Sequence, residues 1–189
     1  MTEHFIPPHG GYQSLLSFQK AQIVYDATVR FCARFLNKRD RTYDQMVQAA
    51  RSGKQNILEG SQASGTSKKM EIKLTNVARA SLEELLEDYR DFLRVRGLEE
   101  WTRDHPYRKR LRELNRQAGA DYDTFRRGIE HRDPAIAANV IIGLIKVTTY
   151  LLDRQLGQLE QAFVEEGGLS ERMTRARLKQ RAKERGRQT

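Results

Sequence analysis

The sequence predicts an all-α protein: an antiparallel four-helix bundle with an inserted helical segment and a basic C-terminal tail. Proline occurs only four times, at positions 7, 8, 106 and 134, so residues 9–105 and 135–189 are free of this helix breaker. Apolar residues recur at three- and four-residue steps through several long segments. No segment alternates β-branched and polar residues over more than a few positions, as a strand would.

Two helices are expected in the first third of the chain. The first spans about residues 13–37, where apolar side chains share one face. The second begins at Thr42 as its N-cap and stops at Gly60. Gly53, within this second helix, would let a neighbouring helix approach closely.

A third helix and an insertion follow a turn at residues 60–66. Ser67 is the expected N-cap of the third helix, and Gly97 is its expected stop. Residues 98–132 then combine aromatic side chains with a short basic helix after Pro106. We interpret this stretch as an inserted elaboration that packs its aromatic side chains onto the bundle.

The fourth helix is expected to begin at Asp133 and Pro134, because an N-cap followed by proline is a typical helix start. Its apolar residues cover a wide arc, which requires either two neighbours or a subunit interface. We therefore expect a bundle over residues 1–169, a basic and partly disordered tail over residues 170–189, and a homo-oligomer formed through the fourth helix.

The composition indicates a cytoplasmic protein. Its one cysteine, Cys32, has no internal partner and lies among apolar residues, which fits a reducing compartment. Residues 1–11 lack the apolar run of a signal peptide. The apolar run at 135–145 stops at Lys146, short of the roughly 20 residues that a bilayer requires. We expect no membrane partner.

No pattern in the chain indicates an enzyme, a cofactor or a metal site. Residues 60–67 have the glycine spacing of a phosphate-binding loop but lack its lysine. The histidines are not spaced as metal ligands on a helix; they are His4, His9, His105 and His131. An acidic group on the third helix leaves a Mg²⁺ site as an alternative to a solvated face paired with arginines. Its members are Glu83, Glu84, Glu87, Asp88 and Asp91.

Three motifs resemble a known family. They are Gln-Asn-Ile-Leu-Glu-Gly at 55–60, Ser-Lys-Lys-Met-Glu at 67–71 and Ala-Ser-Leu-Glu-Glu-Leu at 80–85. Their order and spacing resemble the bacterial four-helix bundle proteins associated with intervening sequences in large-subunit ribosomal RNA genes. The resemblance covers residues 12–97. Residues 101–168 look like the suffix region of that family, although about 35 residues separate the third and fourth helices here.

The resemblance implies a bundle related to the accessory variability determinant of diversity-generating retroelements. Such proteins form ring-like pentamers and contact RNA and a reverse transcriptase, and no chemistry is implied. Four polar or small residues carry the motif here: Asn56, Glu59, Gly60 and Ser81. We interpret Asn56 and Glu59 as part of a buried hydrogen-bond set that fixes helix register or caps the turn, with ligand contact as the alternative.

Two basic clusters point to nucleic acid. The net charge is +9, and residues 170–189 carry eight Lys or Arg against two Glu, so +6 lies in the tail. The first cluster comprises Arg108, Lys109, Arg110 and Arg112, and the second comprises Arg172, Arg175, Arg177, Lys179, Arg181, Lys183 and Arg185. Such density attracts phosphate backbones without reading sequence. Beyond Tyr107 neither cluster has interleaved aromatic residues, so the sequence gives little support for base stacking of the single-strand type.

The leading hypothesis is thus a non-catalytic scaffold that binds RNA or another nucleic acid, or an accessory subunit of a nucleic-acid enzyme such as a reverse transcriptase. The alternative is a protein-interaction module in which the tail only confers solubility.

Overall fold

The computed structural model describes residues 10–185. Most of the segment 1–11, for which no signal peptide is expected, lies outside this range. So do the last four residues of the predicted tail. The described part is all-helical, with 80% helix and no strands, which confirms the all-α class. After a short 3-10 turn at Tyr12–Ser14, the α-helices are α1 (Leu16–Phe35), α2 (Arg41–Ala63), α3 (Lys68–Arg94), α4 (Pro106–Asn115), α5 (Tyr122–Ile129), α6 (Pro134–Glu166) and α7 (Leu169–Arg185).

Most predicted helix ends are confirmed by their capping contacts. The Ser67 side chain accepts a hydrogen bond from the backbone N–H of Met70, and α3 begins there. The Asp133 side chain accepts one at the start of α6, with Pro134 at the first helical position. Gly97 and Gly167 follow α3 and α6 with φ of 64° and 72°, a left-handed conformation that favours glycine.

The predicted ends of the second helix are wrong in two respects. Asp40, and not Thr42, is the N-cap, because its Oδ1 accepts the backbone N–H of Thr42 at 3.0 Å. Gly60 is not the stop, since α2 continues to Ala63. A Cβ atom on Gly60 would lie 3.4 Å from the carbonyl oxygen of Glu71, so this glycine permits close packing of α3 on α2.

The four long helices contact one another in a closed cycle. Helix α1 packs on α2, α2 on α3, α3 on α6, and α6 on α1. Gly53 lies directly against Leu82 of α3, where an added Cβ would come within 2.8 Å of the leucine side chain. The predicted close approach at Gly53 is therefore confirmed.

An aromatic group on α1 and α3 forms the centre of the core. The ring of Phe31 lies 5.0 Å from that of Tyr89 and 4.8 Å from that of Phe92, both edge to face. The Tyr89 hydroxyl, fully buried, donates to Thr28 Oγ1 at 3.1 Å. Burial, with the nearby charge of Asp88, raises the pKa of Cys32 to about 12, so its thiol is a packing group at neutral pH.

The segment of residues 98–132 packs on α6 and α1. Helix α4 contacts α6, and α5 contacts both α6 and α1. Lys20 of α1 is buried beneath this segment, where its Nζ donates to the Ala120 carbonyl at 3.4 Å and lies 5.0 Å from the centre of the Phe125 ring. Burial lowers the pKa of Lys20, and the charge of Asp121 opposes that shift.

Docking of α4 is expected to depend on Gly143. A Cβ there would lie 2.2 Å from Cδ2 of Leu111, whereas a Cβ on Gly157 of the same helix meets no atom within 4 Å. Because alanine favours helix over glycine, Gly157→Ala should stabilise the protein by up to about 1 kcal/mol. Gly143→Ala should be less stable than Gly157→Ala by about 1–3 kcal/mol, because it overpacks the contact with Leu111. Urea unfolding followed by circular dichroism measures both, and equal stability of the two variants would contradict this packing.

The apolar stretch of α6 continues beyond residue 145, the end predicted from the sequence. Lys146 is a single charged residue within a longer apolar segment. By length and composition, the helical stretch Pro134–Glu184 is apolar enough to cross a membrane, with a window of mean hydropathy 1.8. In this structure 56% of that window is buried against protein. A core helix has the same composition, so this is weak evidence for a membrane span.

Candidate nucleic-acid interface

Helix α7 presents the tail cations to solvent. Five of its basic side chains are exposed: Arg175, Arg177, Lys179, Arg181 and Lys183. At 3.6 residues per turn, Arg177 and Arg181 lie on one side of the helix and Lys179 and Lys183 on the other. The helix therefore carries positive charge around its circumference and has no apolar face.

The acidic residues of α7 do not neutralise its cations. Glu171 Oε2 accepts the backbone N–H of Gly168 at 2.9 Å, and Glu184 Oε1 accepts the amide of Gln180 at 2.8 Å. In the described part of the chain, the cations of α7 form no ion pair with a carboxylate within 4.0 Å. Counterions or a polyanion are left to balance this charge.

Two arginines at the start of α7 are partly engaged. Arg175 donates to the carbonyl oxygen of Glu166 at 2.8 Å and so ties α7 to the end of α6. Arg172 is half-buried, and its Nε has no hydrogen-bond partner among the described residues. The side chain of Arg185 lies outside the described part. That the tail is partly disordered stays a prediction.

The basic residues of α4 are held by local contacts. Arg110 pairs with Glu113 at 3.0 Å, and Lys109 lies 3.9 Å from Asp104. Arg108 donates to the Trp101 carbonyl at 3.1 Å, and Arg112 donates to the Arg103 carbonyl at 2.9 Å. These side chains are thus oriented by the loop that they cover, and part of their charge is neutralised.

The helices that carry the two basic clusters meet α6 at widely separated positions. Helix α4 packs at Gly143, whereas α7 follows Glu166 at the other end of α6. At 1.5 Å per residue, these positions on α6 are separated by roughly 35 Å.

Asn139 and Glu100 anchor the loop that precedes α4. Buried Asn139 accepts the backbone N–H of Trp101 at 2.7 Å and donates to the carbonyl of Glu99 at 2.9 Å. Glu100 bonds to Arg90 of α3 and Lys146 of α6. Partial burial alone would raise the pKa of Glu100, but these two hydrogen bonds lower it below its ordinary value.

The anchored loop forms an aromatic cluster that sequence reasoning missed. The rings of Trp101 and His105 stack with centroids 4.7 Å apart and planes inclined by 3°. Tyr107 lies 5.4 Å from Trp101 and 5.5 Å from His105, and 57% of Tyr107 is exposed. The loop has no helical periodicity, so spacing alone could not bring these rings together.

The family-like motif forms a hydrogen-bonded link between α2 and α3, but without Glu59. Asn56 donates to the Ser52 carbonyl at 2.9 Å, and the hydroxyls of Ser52 and Ser81 lie 2.9 Å apart. The Glu59 side chain is exposed. The expected part of Glu59 in a buried hydrogen-bond set is therefore wrong, because its side chain is exposed to solvent. Asn56 acts with Ser52 and Ser81 instead.

The acidic face of α3 is largely paired with arginines. Arg79 pairs with Glu83, Arg90 with Glu87, and Arg94 with Asp91. Burial, with the charges of Glu84 and Asp91, raises the pKa of Asp88 to about 6. Within residues 10–185, no group of three or more His, Cys, Asp or Glu side chains is arranged to hold a metal ion.

Comparison of the chain with models of known protein families, with curated proteins and with solved structures gave no match.

Proposed function

We propose that this protein is a non-catalytic scaffold that binds nucleic acid, most favourably RNA, in the cytoplasm. The observation that carries the proposal is the charge of α7, whose exposed cations have no carboxylate partners in the described part of the chain. Phosphate backbones bind such cations because condensed counterions are released to solvent. An accessory role for a nucleic-acid enzyme such as a reverse transcriptase fits a scaffold of this kind.

The fold proposed for this scaffold is an antiparallel four-helix bundle of α1, α2, α3 and α6, with residues 98–132 as an insertion. The closed cycle of contacts among these helices supports it. So do contacts that fix register, namely Ser17 with Gln155 at 2.8 Å and Arg79 with Asp153 at 3.6 Å. The resemblance to the four-helix bundle family agrees with this arrangement.

A gel-shift experiment tests the proposed function. Purified full-length protein is mixed with a structured RNA at about 50 mM and about 200 mM salt. We expect a shift at the lower concentration that largely disappears at the higher one, since screening removes phosphate contacts. A chain that shifts no RNA at about 50 mM salt would overturn the proposal.

The rival function is a protein-interaction module. The C-terminal half of α6 favours it, because apolar side chains there face solvent: Tyr150, Phe163 and Val164. The rest of the wide arc is covered within the chain by α1, α3, α4 and α5. If this rival function is correct, the chain binds no RNA, and deletion of the tail does not change binding of the protein partner to α6.

Self-association through this part of α6 stays a prediction. We expect a homo-oligomer, with the pentamer of the resembling family as one outcome, because an oligomer would bury these exposed apolar side chains. Light scattering measures the mass in solution. A clean monomer of 21.9 kDa at micromolar concentration would remove this prediction and weaken the accessory-protein analogy.

A further inference from the structure

The aromatic cluster before and within α4 has the geometry of a stacking surface. Its three rings lie within 5.5 Å of one another, and Tyr107 turns most of its surface to solvent. The cluster is held in place from below, because Asn139 of α6 binds the backbone on both sides of Glu100. Trp101 and His105 are half-buried, so Tyr107 offers the exposed face of this rigid group, and it loses little conformational freedom when a flat ligand stacks on it.

The surroundings of this cluster favour an anionic ligand. Residues 101–117 contain six Lys or Arg and two acidic residues, a net charge of +4. The two acidic residues, Asp104 and Glu113, contact Lys109 and Arg110. Arg108 and Arg112 instead bind backbone carbonyls of the loop that carries Trp101. Aromatic rings therefore lie beside guanidinium groups that no described carboxylate neutralises.

We propose that the cluster of Trp101, His105 and Tyr107 is a stacking site for an unpaired base of single-stranded nucleic acid. Proteins that bind single strands combine this arrangement of aromatic faces with adjacent cations. Bases in a duplex are stacked on each other and do not offer their faces to a side chain. This site deepens the proposed function, on which it rests, by naming the form of nucleic acid that the chain prefers at α4.

The only tryptophan of the chain is Trp101, so its fluorescence reports on this cluster alone. The probe is an unstructured RNA of roughly 12 nucleotides, within the length that single-strand sites cover, and the comparison is a duplex of the same length. The single strand is expected to quench Trp101 fluorescence. The duplex is expected to bind through the tail charges without comparable quenching.

Substitutions at Tyr107 provide the second measurement, by fluorescence anisotropy of the labelled single strand. Tyr107→Ala is expected to weaken binding by about 5- to 100-fold, the usual loss for one stacked base. Tyr107→Phe keeps the aromatic face and is expected to bind as the parent protein does. Val95→Ala is the control, since Val95 is 65% exposed just after α3 and belongs to neither basic cluster. The ratio of parent to Tyr107→Ala affinity should stay constant between about 50 and 200 mM salt, because stacking releases no counterions.

Failure of the stacking site and failure of the proposed function give different results in these experiments. If the parent protein binds single-stranded RNA but Trp101 fluorescence and the affinity of Tyr107→Ala do not change, the stacking site is overturned and the proposed function stands. Equal quenching by the duplex also overturns the site. If the parent binds neither RNA at about 50 mM salt, the proposed function fails and the stacking site fails with it.

Discussion

Deletion of residues 170–189 is expected to weaken RNA binding on the order of a hundred-fold at about 50 mM salt. The deleted segment carries +6 of the net charge of +9. Its exposed cations lack carboxylate partners within the described range, so about five of them are free to neutralise phosphates. Fluorescence anisotropy of a labelled RNA, with full-length and truncated protein side by side, measures the difference.

The α4 cluster supplies the comparison. Replacing Arg108, Lys109, Arg110 and Arg112 with glutamine should remove a smaller share of the affinity, because each of these side chains is engaged locally. A ring of several copies would multiply their local charge and raise that share. If full-length protein binds RNA no better than the truncated form at about 50 mM salt, the tail only confers solubility and the protein-interaction hypothesis takes the lead.

Phe31→Ala is expected to lower the free energy of unfolding by about 3–5 kcal/mol. Phe31 is fully buried and contacts the rings of Phe35, Tyr89 and Phe92. Its removal leaves a cavity between α1 and α3 that rigid aromatic neighbours fill poorly. Urea unfolding monitored by circular dichroism at 222 nm, where helices absorb, gives the change.

Val95→Ala is the matched control for this substitution. Val95 is 65% exposed at the end of α3, so its truncation should change stability by no more than about 0.5 kcal/mol. A loss below about 1 kcal/mol for Phe31→Ala would contradict the central position of the aromatic group in the core.

Local signals in the sequence were sufficient to place most helices. Ser67, Gly97, Asp133 and Pro134 each act on the backbone within a few residues, so their effect can be read without tertiary structure. The prediction that the second helix stops at Gly60 was wrong because this glycine has a role in tertiary packing. It lies inside α2 and allows the backbone of α3 to approach, which depends on a partner that local sequence does not specify.

The candidate interface could be predicted only in part. Composition revealed both basic clusters, but not that the acidic residues of α7 bind Gly168 and Gln180 instead of the cations. The stack of Trp101 on His105 arises in an irregular loop anchored by Asn139, a contact across 38 residues of sequence. Such a contact has no periodic signature, so only the structure brings these rings together.

The salt dependence of RNA binding by the full-length chain tests the central claim most directly. Affinities are measured from about 50 to 200 mM salt and plotted as log K against log salt concentration. With about five phosphates neutralised, we expect a slope of roughly −3.5 for a single strand and −4.5 for a duplex. A slope near zero, or no measurable binding at about 50 mM salt, would contradict an electrostatic nucleic-acid scaffold.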